Sequence, residues 1–84
     1  MNSELKRLQH EQRVIIEENA CMRHYRAMGA GYTEQQAAEF AVSYIKSAIH
    51  RNRQRLSTHN IQHLNNIIAG YEYDINKLMG DIKV

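Results

Sequence analysis

At 84 residues the chain has room for one domain with a modest core, and it buries a smaller share of its surface than a domain twice as long. With 43% hydrophobic and 24% charged residues, no proline and only four glycines, it fits neither a disordered tail nor a turn-rich sandwich, and helix is favoured. The net charge is only +2, but no Asp or Glu occurs between Glu39 and Glu72, where Lys46, Arg51, Arg53 and Arg55 lie with His50, His59 and His63. Such a basic middle favours contact with something anionic, either nucleic acid or an acidic protein face.

Cys21 is the single cysteine, so the disulfide framework of small secreted domains is excluded and a reducing, cytoplasmic setting is expected. The N-terminal residues are basic with no apolar stretch behind them, and apolar runs elsewhere are only a few residues long. Neither a targeting segment nor a membrane span is expected.

The spacing predicts one helical domain over residues 1–84, with helices at about 3–28, 33–55 and 58–79. The first has Ser3 in position to cap it and Gly29 to end it. Its apolar residues form two stripes, Leu5, Leu8, Ile15, Ile16 and Met22 on one side and Val14, Cys21, Tyr25 and Met28 on another. Two stripes call for two partners, and Val14, Tyr25 and Met28 are the surplus set, expected to anchor a protein partner or a homodimer.

Gly29-Ala30-Gly31 breaks the helix, and Thr33 with Gln36 fits a capping box that restarts it. The second helix is expected to turn Ala37, Ala38, Ala41, Tyr44, Ile45, Ala48 and Ile49 inward, with alanines allowing close approach of a neighbour. In the third, Ile61, Leu64, Ile68, Tyr71, Ile75, Leu78 and Ile82 alternate by three and four, a seam of either a coiled coil or a bundle helix, and Gly80 is the expected stop. A continuous helix across residues 33–79 would point its two stripes about 145° apart at 100° per residue, so a break near Leu56-Ser57-Thr58 is expected. The fold class is therefore all-α: a three-helix bundle or helical hairpin with a long N-terminal helix, open to dimerisation.

Chemistry is hard to place. Cys21 and His24, and His59 and His63, have the helical spacing of metal ligands, but two such pairs without a carboxylate or second cysteine are common by chance. His10-Glu11 lacks the second His of a metalloprotease helix, and the glycine turn lacks the Lys-Ser/Thr ending of a phosphate loop. No catalytic, cofactor or metal site and no small-molecule substrate are expected.

The composition thus points to a protein-binding module, an adaptor, inhibitor or regulator acting by occupying the surface of a larger protein. That is the profile of the small accessory proteins phages and mobile elements often encode. The alternative is a nucleic-acid-binding regulator that sets Lys46, Arg51, Arg53 and Arg55 against phosphates.

Overall fold

The computed structural model describes residues 2–82 and shows an all-α protein of three helices packed as a bundle. Helix α1 spans Asn2–Gly29, α2 spans Glu34–Arg51, a 3₁₀ turn follows at Arg53–Arg55, and α3 spans Thr58–Ile82. No strand occurs among the described residues.

The connections follow from local chemistry. After α1, Gly31 adopts φ +95°. Its amide donates to the Met28 carbonyl at 3.2 Å while the Tyr32 amide donates to the Ala27 carbonyl at 3.1 Å. This pair of bonds is the Schellman closure, which needs a left-handed residue; α1 ends at Gly29, as expected, and Gly31 supplies the left-handed turn just beyond it. Thr33 then caps α2: its hydroxyl accepts from the Gln36 amide at 3.1 Å and the Gln36 side chain accepts from the Thr33 amide at 3.0 Å.

Helix α2 stops at Arg51, four residues short of the expected Arg55. The cause is Asn52, whose backbone and side-chain amides both donate to the Ala48 carbonyl at 2.9 Å, closing the last turn. The Arg55 amide bonds the Asn52 carbonyl at 2.8 Å, tightening the chain into the 3₁₀ turn. Ser57 then caps α3 through its hydroxyl, which accepts from the Asn60 amide at 3.1 Å. Gly80 does not end α3, which continues to Ile82; the side chain of Ile82, last in the expected seam, lies outside the described residues.

Helix α2 is the central element and packs on both others, whereas α1 and α3 touch little. The core joins Ile16 and Ala20 of α1 to Ala41, Val42, Ile45, Ala48 and Ile49 of α2 and to Leu64 and Ile68 of α3, with Leu56 sealing the turn. Ile16, Ile45 and Leu64 are its fully buried large side chains, each worth about 1.5–3 kcal/mol of apolar burial. The expected inward face of α2 is buried except for half-buried Tyr44, and Val42 joins it. Among the described side chains of the α3 seam, Leu64 and Ile68 are buried, and Ile61, Tyr71 and Ile75 flank the core as half-buried packing.

The long helices α1 and α3 draw the bundle out to 55 × 23 × 17 Å. Its radius of gyration is 14.5 Å, against about 12 Å for a compact chain of this length. The accessible surface is 6282 Å², roughly 1,000 Å² more than a folded monomer of 9.8 kDa ordinarily exposes. No helix among the described residues is long and apolar enough to cross a membrane.

Candidate interaction surfaces

Helix α1 differs from both expected stripes. Its inward face is Ile16, Ala20 and Ala27, buried to 7% exposure or less, with polar Arg13, Glu17 and His24 at the same flank. Of the first stripe only Ile16 enters the core, while Leu5, Leu8, Ile15 and Met22 remain 56%, 51%, 49% and 47% exposed. Helix geometry separates adjacent residues by 100°, so once Ile16 points inward its neighbour Ile15 cannot.

The second stripe is also left outside: Tyr25, Met28 and Cys21 are exposed and Val14 is half-buried. Val14, Cys21 and Tyr25 lie on the side of α1 turned away from Ile16, and Met28 lies at its margin. Met22 lies instead beside α2, next to Phe40, and Leu5, Leu8 and Ile15 lie in line with it beside the 3₁₀ turn. Two separate apolar rows therefore face solvent.

The Met22 row is framed by polar contacts that fix α1 on α2. Asn19 donates to the Tyr44 hydroxyl at 3.1 Å, and the Arg23 guanidinium sits 4.4 Å over the Tyr44 ring. Further along, Phe40 is 45% exposed and packs edge-on against Tyr32 with ring centroids 5.1 Å apart. Met22, Arg23, Arg26 and Phe40 line one open depression with Asn19. At the other end Leu5, Leu8 and Ile15 line an open groove of about 400 Å³ whose opposite wall is Gln54 and Arg55.

The basic segment divides. Lys46 is not free of acids, as the empty interval between Glu39 and Glu72 suggested: α3 brings Glu72 to 3.6 Å from its Nζ. Arg51, Arg53 and Arg55 are exposed, and among the described residues no carboxylate lies within ion-pair distance of them. With His50, Asn52 and Gln54 they line the corner between α2 and α3.

The histidine and cysteine pairs do not converge. His63 Nε2 lies 2.8 Å from Glu17 Oε1, and His24 packs against Tyr71 at 5.8 Å between ring centroids. Among the described residues no three His, Cys, Asp or Glu side chains are placed to hold a metal ion. Tyr71 is pushed above the ordinary tyrosine range, first by burial and then by Cys21 and Asp74 nearby.

Compared with protein-family models, curated proteins and solved structures, the chain matches none of them.

Proposed function

We propose that the chain is a helical protein-binding module, with the outer surface of α1 as its contact element. The observation that carries this reading is the solvent exposure of Leu5, Leu8, Ile15, Met22, Tyr25 and Met28 on one helix. A small protein that keeps this much apolar side chain in water gains on covering it, and the burial of a few such anchors supplies most of an interface's affinity. The mechanism is steric: the module occupies a complementary surface on a larger protein. Tyr25, 74% exposed, is the anchor with most area to bury, with Met28 one turn further on and half-buried Val14 about three turns back along the same helix.

The test is co-purification of the tagged chain and of a Tyr25→Asp/Met28→Asp variant, followed by reconstitution with the purified partner. Loss of the complex with unchanged helicity supports the reading. An unaltered complex removes Tyr25 and Met28 from the contact.

A second reading rests on a different observation, the three arginines at the α2–α3 corner, which have no carboxylate partner among the described residues. It is a nucleic-acid regulator in which Arg51, Arg53 and Arg55 neutralise phosphates while Lys46, held by Glu72, contributes less. Part of that charge already serves α2, whose C-terminal dipole it complements.

A further inference from the structure

We infer that Leu5, Leu8, Ile15 and Met22 form the seam of a parallel homodimer, in which α1 pairs with α1 of a second copy of this chain. The inference rests on α1 being the contact element and names the occupant of one of its two rows, leaving the Tyr25 row for another protein.

The first ground is periodicity. From Leu5 the row advances by three and four through Leu8, Gln12, Ile15, Asn19 and Met22, the alternation of a coiled-coil seam. It runs beside the groove and outside the monomer core, to which α1 contributes Ile16 and Ala20. The roughly 1,000 Å² of surplus surface compares with about 800 Å² buried per partner in an interface of ordinary size.

The second ground is what sits in the seam between the apolar residues. In a parallel, in-register pair Gln12 and Asn19 each meet their own counterparts, so polar meets polar, Asn19 through the amide oxygen and second N–H that its bond to the Tyr44 hydroxyl leaves over. In an antiparallel pair with the same layers Gln12 faces Ile15 and Asn19 faces Leu8, which strands an amide against an apolar side chain. The seam ends after Met22, because Arg26 at the next position would meet its own copy.

The third ground is charge. One edge of the row carries Glu4, Glu11 and Glu18; the other carries Arg23, whose guanidinium stacks on Tyr44 with its N–H edge left for a carboxylate, and, across the groove, Arg55. A twofold axis parallel to α1 brings the acidic edge of each copy to the basic edge of the other, Glu18 towards Arg23 of the partner subunit. An antiparallel axis sets acid against acid, with Glu11 opposite Glu18. Arg7 already pairs with Glu4 and Glu11 at 3.9 and 3.4 Å, but those side chains are more than half exposed and such pairs exchange at little cost.

The test is sedimentation equilibrium across a concentration series, joined to cysteine pairing in a Cys21→Ser background. The expected mass approaches twice 9.8 kDa, and Leu8→Cys/Cys21→Ser forms a disulfide-linked dimer under mild oxidation. Leu8→Asp/Ile15→Asp weakens association roughly tenfold or more, with helicity retained because both side chains are about half exposed. A mass of 9.8 kDa throughout overturns the inference, as does linkage only in mixtures of Leu8→Cys and Asn19→Cys chains, which reports the antiparallel arrangement. A monomer that still loses its partner on substitution of Tyr25 and Met28 removes the dimer and leaves the binding-module reading standing.

Discussion

Glu17 Oε1 on α1 lies 2.8 Å from His63 Nε2 on α3 and 2.5 Å from the Arg13 guanidinium, so one carboxylate joins two helices that otherwise touch little. Arg13 in turn lies 3.0 Å from His10 Nδ1, which extends the chain of contacts along α1. Arg13 and Glu17 are 15% and 27% exposed at their side chains, dry enough for the pair to matter more than the exposed Arg7 pairs.

Replacing Glu17 with Ala removes the carboxylate from a mostly buried guanidinium and leaves it only His10. The expected cost is about 1–3 kcal/mol, the usual penalty for stranding a hydrogen-bonded charge. Urea unfolding followed by circular dichroism measures it, with Glu4→Ala as the exposed control expected to stay within about 0.5 kcal/mol.

Ile15 and Ile16 are adjacent yet 49% and 1% exposed. Ile16→Ala is expected to destabilise the protein by about 2–5 kcal/mol, since it opens a cavity where all three helices meet. Ile15→Ala is expected to leave the stability of the monomer almost unchanged. Equal costs at the two positions would show that α1 does not turn Ile16 inward and Ile15 outward.

Tyr71 holds its proton above the ordinary tyrosine range because the phenolate would be partly buried beside Cys21 and Asp74. The unfolded chain ionises this group near pH 10, before the folded chain does. Stability therefore falls as pH rises from about 10 through the folded value, where the unfolded state has already lost the proton. An alkaline titration of phenolate absorbance should show one late component that Tyr71→Phe removes.

Arg51→Gln/Arg53→Gln/Arg55→Gln is expected to leave stability within about 0.5 kcal/mol of the parent, since these exposed side chains have no carboxylate partner among the described residues. Fluorescence anisotropy with duplex and single-stranded nucleic acid across a salt series then decides the second reading. Binding that weakens steeply with salt and disappears in the triple variant supports it; affinity unaltered by the substitutions rules it out.

Much of the fold is legible in local residue chemistry. Thr33 with Gln36 marks the start of α2, the alanines of α2 mark its packed face, and Ser57 marks the restart after the turn, because each signal is satisfied within a few residues. Helix α1 is the exception. Its core face is built from one isoleucine and two alanines beside charged residues, while its larger apolar side chains point elsewhere, so apolar periodicity there reports a surface the monomer leaves open. Lys46–Glu72 and Glu17–His63 were equally out of reach, because their partners are distant in sequence and meet only through packing.

The most direct measurement is site-specific photo-crosslinking in cells, with a benzophenone side chain placed in turn at Ile15, Tyr25, Arg53 and Tyr73. A self-adduct of doubled mass is expected from Ile15, an adduct with a different protein from Tyr25, and little from Tyr73 on α3. Adducts confined to Arg53 and nucleic acid, with none from either α1 position, would contradict α1 as the contact element.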